Sequence, residues 1–337
     1  MGRKTIYNSL TSESVLKNIN SFNIRLRDDF LNYLRGTQKS AGTIYNYNND
    51  LNIFFCWNYS NNGDKQFNRI TKRDIISFQN WLIYENNNSP SRVKRIKSTL
   101  SSLSNYIFNI LDEEEEFKNF KPIIRCVEDP VNTAVREKSV FEREELDSLL
   151  EWLVQKGQYQ KACALALSMF SGVRIAELTR FKVNYFDDKN ITFGFYKTPE
   201  RIKTKGKGNG KFIFKYVIAD EFKPYLDLWL NEREKLGIKS EWLLVSKKND
   251  NWEQIKVGTL HSWAKTFSRV LGKDFYFHSM RHFFTTALKK RSIPDSVIQK
   301  IIGWESLDMV DIYNDLDVEE EIGMYFGNTD KKDEVRL

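Results

Sequence analysis

Apolar residues recur at spacings of three and four through the first 111 residues of this chain. The clearest run predicts a helix over residues 12–35, because this spacing gathers apolar side chains on one helix face. Its members are Val15, Ile19, Phe22, Leu26, Phe30 and Leu34. Three more segments share the pattern, so a compact helical domain is the expected fold for this part of the chain.

Polar residues mark where the next three helices begin. A second helix is expected from near Ser40, with Thr43 as its cap. A third follows Thr71, and Asp74 completes a capping-box pattern with Asp in place of Glu. The fourth covers SPSRVKRIKSTLSSLSNYIFNIL, with its basic residues crowded into the first half. Together the four helices predict a domain over residues 1–116 with one basic face.

The periodicity changes in the second half. Residues 117–139 hold two prolines and no sustained period, which predicts an extended linker. Helical patterns resume at residue 140, but residues 190–218 are rich in aromatic and β-branched residues and predict a small antiparallel sheet. The tip of its hairpin carries Gly206, Gly208 and Gly210 among lysines. The expected fold is mostly α with a small antiparallel sheet, and the second domain, residues 140–337, is α+β.

Composition narrows the class of protein. With 41% hydrophobic and 14% aromatic residues in 337, the chain has material for two cores, which excludes a wholly disordered protein. No apolar run approaches the roughly 18 residues of a bilayer span, and MGRKTIYNSL lacks the apolar region of a secretory signal. Three scattered cysteines and three histidines predict no metal site. We therefore expect a cytoplasmic protein that needs no cofactor.

Charge is segregated along the chain, whose net charge is +7. Residues 1–111 hold 15 Lys or Arg against 7 Asp or Glu, and residues 201–217 hold six basic residues and no acid. Residues 308–337 instead hold ten acids against three bases, which makes an acidic tail. Two basic regions of this kind favour an anionic partner such as nucleic acid.

Four short elements that carry reactive or cationic side chains follow one another in the second domain. They are SGVRIAEL with Arg174, the lysine-rich hairpin, HSMRH with His278 and Arg281, and GWESLDMVDIY with Trp304 and Tyr313. Taken singly, each has an ordinary structural interpretation, such as a surface ion pair or a half-buried aromatic ring. Their order and spacing are more specific, since His278 and Arg281 are three apart and Trp304 precedes Tyr313 by nine.

This constellation resembles the tyrosine recombinase, or phage integrase, family, and the resemblance spans residues 12–326. It implies site-specific cleavage and rejoining of DNA through a 3′-phosphotyrosyl intermediate. Tyr313 would be the nucleophile, and Arg174 and Arg281 would grip the phosphate. His278 would assist as a base or hydrogen-bond donor, and Trp304 would donate its indole N–H. The leaving 5′ hydroxyl would take a proton from a hairpin lysine, for which Lys203 and Lys207 are joint candidates.

The resemblance also implies how DNA is held. The first domain looks like the family's SAM-like core-binding domain, and the two domains would form a C-shaped clamp on double-stranded DNA. Homo-oligomers, dimers or tetramers, would assemble there. Helices 43–55 and 91–110 are the expected groove readers. The candidate DNA-binding residues are Lys72, Arg73, Arg92, Lys94, Arg95, Lys97, Lys205 and Lys211.

Two hypotheses remain open from the sequence. The first is an active recombinase of phage or mobile-element origin, which the complete set of motifs favours. The second is a phage DNA-binding repressor, acting in transcription regulation, that keeps the fold without strand exchange. Acids surrounding the tyrosine, which would repel a phosphate, favour the repressor; they are Asp308, Asp311, Asp315 and Asp317. A topoisomerase would share the chemistry, but the two-domain length fits it less well.

Overall fold

The computed structural model describes residues 10–131, 139–204, 210–316 and 320. The chain divides into two compact units, residues 1–137 and 138–337, and each has its own apolar core. The expectation of a mostly α fold with small antiparallel sheets is confirmed. Within the described part of the chain, none of the helices combines the length and the apolarity that crossing a bilayer requires.

The helices of the first unit begin close to the expected positions. They are α1 (Glu13–Asn18), α2 (Ser21–Gly36), α3 (Ala41–Asn61), α4 (Lys72–Asn80, continued by a π-helical turn Trp81–Glu85) and α5 (Pro90–Ile110). The single helix predicted over residues 12–35 is two helices, because Asn20 caps α2 through its side chain. Ser40 caps α3 by accepting from the backbone N–H of Thr43, so Thr43 is not the cap. The capping box of Thr71 and Asp74 is present.

The segment that follows α5 belongs to the first unit. Phe117 and Ile124 are buried in its core, and Phe120, Ile123 and Val127 pack against that core. An extended linker was expected to begin at residue 117, but these apolar side chains remove far more surface from water when they pack than when they lie along a free strand.

The second unit surrounds one buried helix. Its helices are α6 (Arg143–Gln155), α7 (Tyr159–Met169), α8 (Ile175–Leu178), α9 (Ala219–Lys235), α10 (Val257–Leu271), α11 (Ser279–Lys290), α12 (Asp295–Ile302) and α13 (Asp308–Tyr313). Eight consecutive residues of α7, Ala162–Met169, are buried. A helix that is apolar on every side is stable only when other elements cover it all round. Helices α6, α9 and α11 all pack against it.

Short antiparallel strands complete the second unit. They are β1 (Ile191–Thr192), β2 (Phe195–Lys197), β3 (Ile202–Thr204), β4 (Lys211–Ile213), β5 (Tyr216–Ile218), β6 (Val245–Lys248) and β7 (Asn251–Gln254). The order β1-β2-β5 forms one sheet, and β3 pairs with β4 in the register Lys203 to Phe212. The lysine-rich hairpin therefore runs from β2 through β3 and β4 to β5, and its tip, residues 205–209, lies outside the described residues.

Two glycines near the motif residues allow side chains from other elements to pack directly against the backbone. Gly172 has a φ of +57°, and a Cβ there would lie 2.7 Å from a ring carbon of Phe284 in α11. Gly303 has a φ of +82°, and a Cβ there would overlap the end of the Ile213 side chain in β4. Both positions require glycine for its conformation and for its lack of a side chain. The contacts bring the turn before Arg174 onto α11 and the hairpin onto the turn before Trp304.

Candidate functional site

The motif residues of the second unit meet at one place. Arg281 has its guanidinium carbon 5.0 Å from the ring centroid of Trp304 and 5.7 Å from that of Tyr313. The rings of Trp304 and Tyr313 lie 4.9 Å apart, and His278 lies 5.3 Å from Tyr313. Tyr313 is the last residue of α13 and is 8% exposed, in the same unit as His278, which precedes α11, and His282, which lies in α11.

Arg281 is fully buried and only partly satisfied. Its Nη1 donates to the carbonyl of Gly172 at 3.0 Å. Its Nε and Nη2, and the indole Nε1 of Trp304, are buried without a hydrogen-bond partner among the described residues. Buried donors without acceptors are costly, so a cluster of them in one place indicates a site prepared for an absent acceptor. Burial and the nearby Arg174 lower the pKa of Arg281 to about 10, which leaves it charged at neutral pH.

Tyr313 is hydrogen-bonded to His278. The distance from Oη to Nε2 of the imidazole is 3.0 Å. Desolvation, together with His282, Arg281 and Arg174, lowers the pKa of His278 to about 4. A neutral imidazole can accept the phenolic proton, which a protonated one could not.

Arg174 is anchored by a carboxylate. Its backbone N–H and its Nη1 donate to the two oxygens of Glu177, at 3.0 and 3.4 Å, and Nη1 also donates to Thr204 in β3 at 3.0 Å. The hydroxyl of Thr204 donates in turn to Glu177. Side-chain exposure is 28% for Arg174 and 1% for Glu177, so the guanidinium retains an open side. Thr204 therefore ties the hairpin to the arginine.

The hairpin lysines divide into three groups. Lys203 is exposed on β3, while Lys205 and Lys207 lie outside the described residues. Lys215, which the sequence interpretation did not select, is buried beside Glu177 with 2.7 Å between Nζ and Oε2. One signal could have identified it: Lys215 stands two residues before the apolar Val217 at the start of β5, so in extended chain the two side chains share a face, and Val217 is buried.

The acids near Tyr313 do not surround its hydroxyl. Asp308 and Asp311 are exposed on α13. Asp315 turns toward α11, where its Oδ1 lies 3.5 Å from Nδ1 of His282, and its backbone N–H donates to Thr286. The ring of His282 packs 4.4 Å from that of Tyr313. Asp317 lies outside the described residues, as does the tail from 321 onward.

The first unit carries a polar groove of about 420 Å³ between α3 and α5, the two expected groove-reading helices. Its floor holds Asp50, which is 1% exposed and accepts ion pairs from Arg92 at 2.7 Å and Arg95 at 3.4 Å. The hydroxyl of Thr99 also donates to this carboxylate at 3.1 Å. Asp50 thus fixes the direction of Arg95, which lines the groove, and of Arg92 beside it.

The other candidate DNA-binding lysines differ in exposure. Lys72, Arg73 and Lys94 are exposed, and Lys211 is half-buried. Lys97 is 3% exposed, and its ammonium donates to the carbonyls of Val127 and Glu128 and pairs with Asp129 at 2.8 Å. A phosphate-binding role does not suit Lys97, because its donors are already used to hold the segment after α5.

Each of the two units matches a known protein family model. The family model of the phage integrase family matches residues 139–320, and that of the phage integrase N-terminal SAM-like domain matches residues 26–112. The chain is 27% identical over 324 residues to the SPbeta prophage-derived recombinase-like protein YomM of Bacillus subtilis, covering 94% of each chain. It is 26% identical to tyrosine recombinase XerA of Pyrococcus furiosus, covering 85% of this chain and 87% of the relative.

Solved structures share the fold. XerH recombinase bound to a palindromic difH substrate superposes with a TM-score of 0.63 at 19% identity, covering 90% of this chain and 95% of that one. A lambda integrase dimer bound to a COC′ core site gives 0.62 at 20% identity, covering 92% and 84%.

Proposed function

Because this chain belongs to the phage integrase family, we propose that it is a tyrosine recombinase, which cleaves and rejoins duplex DNA at a specific site through a 3′-phosphotyrosyl intermediate. One observation carries the proposal. Three buried donors without partners among the described residues, Nε and Nη2 of Arg281 and Nε1 of Trp304, belong to side chains that lie against the ring of Tyr313. A phosphate supplies the acceptors that these donors lack.

The cleavage step follows from these positions. Oη of Tyr313 passes its proton to His278 and attacks the phosphorus, and the bond from phosphorus to the 5′ oxygen breaks. The non-bridging oxygens gain charge in the transition state, where Arg174 and Arg281 are already oriented. The tyrosyl ester keeps the energy of the broken bond, so a 5′ hydroxyl can reverse the step on either DNA end.

The leaving 5′ oxygen needs a proton. Lys203, exposed on β3 next to the Thr204 that contacts Arg174, is one candidate donor. Lys207 remains the other, since it lies in the tip of the same hairpin.

DNA binding would use both basic regions. The groove over Asp50 presents Arg95, and Arg92 pairs with the same carboxylate. Further charge for the DNA phosphates would come from Lys72, Arg73, Lys94 and Lys211. Lys205 also remains a candidate. We propose that α3 and α5 enter the major groove of the DNA and that the basic residues of the second unit contact its phosphates. Such contacts carry the affinity and make it fall with salt.

Assembly and location follow from the same proposal. Related structures include a lambda integrase dimer on a core site and a tetramer bound to a Holliday junction. We propose that this chain likewise forms dimers and tetramers on DNA, in the cytoplasm where cellular or phage DNA is reached. The relation to a prophage-derived recombinase-like protein supports a phage or mobile-element origin.

The experiment that tests the function is covalent trapping. A duplex that binds the chain is first selected from a randomised pool and then nicked beside the expected cleavage point, so that the released fragment diffuses away. We expect an adduct on denaturing gels with the parent and none with Tyr313→Phe at unchanged affinity. Tyr84→Phe, at a tyrosine 77% exposed in the first unit, should retain the adduct. Tight specific binding by the parent without any adduct would favour the repressor instead.

The repressor hypothesis loses its main argument. It relied on acids around the nucleophile, but Asp308 and Asp311 are exposed to solvent and Asp315 contacts His282. The recombinase is therefore the function that the geometry supports best.

A further inference from the structure

A buried lysine sits behind the phosphate-binding arginines. Lys215 precedes β5, is 2% exposed, and places Nζ 2.7 Å from Oε2 of Glu177. The mechanism described above does not use it. Burying a charged ammonium costs desolvation free energy, and only a well-placed ion-pair partner offsets that cost.

Glu177 is that partner, and it has several tasks. Its two oxygens accept from the backbone and side chain of Arg174 and from Thr204 as well as from Lys215. If Lys215 were absent, the buried carboxylate would have Arg174 as its only cationic partner among these contacts. The positive charge of Arg174 would then largely neutralise Glu177 and would be less available to bind a phosphate.

We propose that Lys215 is a positioning residue that neutralises Glu177, so that the carboxylate can hold Arg174 and Thr204 in place while Arg174 keeps its charge for the scissile phosphate. The inference rests on the proposed strand cleavage. Three charged groups face the ammonium: Glu177, Arg281 and Arg174. Burial outweighs the attraction of Glu177, and with the two arginines it lowers the pKa of Lys215 to about 8, a cost that a merely space-filling residue would not require.

A double-mutant cycle tests this role. In single-turnover cleavage of the nicked duplex, Lys215→Met should slow adduct formation by roughly tenfold or more, while Lys215→Arg, which keeps the charge, should retain most of the rate. In the Glu177→Gln background the same Lys215→Met change should have little effect, because no carboxylate remains to be neutralised. Lys182→Met, which removes an ion-paired lysine partnered by Glu200 and Glu241, is the matched control and should cleave as the parent does.

Two outcomes of this cycle would overturn the positioning role of Lys215. An equal loss in both backgrounds would make Lys215 act directly, as a proton donor to the leaving oxygen, and would overturn the positioning role. An unchanged rate in Lys215→Met would overturn it as well. Thermal melting of each variant shows whether it is folded, and the comparison of Glu177→Gln with the double variant remains valid if Lys215→Met alone does not fold.

A binding measurement keeps the inference separate from the proposed cleavage. In the Tyr313→Phe background, affinity is compared for a duplex with a normal scissile phosphate and one with a neutral methylphosphonate there. Lys215→Met should shrink the preference for the charged phosphate, and Glu177→Gln should restore it. A parent that forms no adduct would contradict the cleavage proposal, whereas a preference unaffected by Lys215→Met would contradict the positioning role alone.

Discussion

The hydroxyl of Tyr313 lies 3.0 Å from Nε2 of His278, inside a cluster that holds two arginines. The arginines and His282, added to desolvation, disfavour a positive imidazole and lower its pKa to about 4. The histidine is therefore neutral at pH 7 and can accept the proton of the attacking tyrosine. The same cations that would bind phosphate thus also keep the base in its active form.

We expect His278 to titrate well below its usual value near 6.5. Between pH 4 and 6.5 the folded chain then binds fewer protons than the unfolded chain, so the free energy of unfolding should rise with pH across that window. NMR titration of the imidazole signals, assigned by their loss in His278→Ala, measures the pKa. The slope of stability against pH should flatten in this variant. A midpoint at or above 6.5 would contradict the expectation.

Removal of Arg174 should affect rate more than binding. The extra charge on the phosphate exists mainly in the transition state, so Arg174→Ala should slow adduct formation by about 10²–10³-fold, the usual effect of losing one preorganised donor. DNA affinity should fall far less. Quench-flow trapping and titration of the same duplex separate the two. Arg269→Ala, at an exposed arginine of α10, should change neither.

Arg281→Lys tests geometry at constant charge. The lysine side chain is shorter, so it loses the hydrogen bond to the carbonyl of Gly172. It also lacks the second N–H group of the guanidinium that lies over Trp304. Because lysine does not reproduce bidentate phosphate binding, cleavage should fall by a factor similar to that of Arg174→Ala although the charge remains. The measurement is adduct formation together with melting temperature. Cleavage at the parent rate would show that charge alone is sufficient at this position.

The contact between His282 and Asp315 is expected to hold the nucleophile. Asp315→Ala frees the segment that follows Tyr313, and a displacement of about 1 Å in a reacting atom can cost 100-fold in rate. We therefore expect slower adduct formation at unchanged DNA affinity. Asp311→Ala removes an acid from the exposed side of α13 and serves as the matched control. Equal rates for the two variants would show that Trp304 and His278 suffice to place the tyrosine.

In the first domain, the sequence predicted where most helices lie, but it missed one break between helices and the packing of the segment after α5. Regular apolar spacing and polar caps such as Thr71 are local features, so they survive in the structure. The break at Asn20 was missed, because its capping bond competes with a periodicity that continues across it. The packing of Phe117 and Ile124 was missed because it depends on a core assembled from distant residues.

The same distinction applies to the site. The order and spacing of the motifs were sufficient to select Arg174, His278, Arg281, Trp304 and Tyr313, which the fold brings together. Lys215 and Asp315 carry no motif, and their contacts depend on strand register and on the path of the chain after α13. Lys97 looked like its neighbours in sequence, but the turn of α5 points it inward.

That difference among the lysines of α5 gives a final prediction. If Lys94 and Arg95 bind phosphates, replacing both with Ala should reduce the slope of log affinity against log salt by roughly 2, since each contact contributes about 0.9. Lys97→Met should leave the slope unchanged, because its ammonium already bonds to Val127, Glu128 and Asp129.

Lys97→Met should instead lower the stability of the first unit. It leaves two carbonyls without their donor, at a cost of about 1–3 kcal/mol, while its apolar stem still fills the space. The two measurements should therefore distinguish the variants. The Lys94 and Arg95 double variant should change the salt dependence of affinity, and Lys97→Met should lower the melting temperature. A flatter salt slope for Lys97→Met would mean that the segment after α5 opens on DNA and releases the lysine to the backbone.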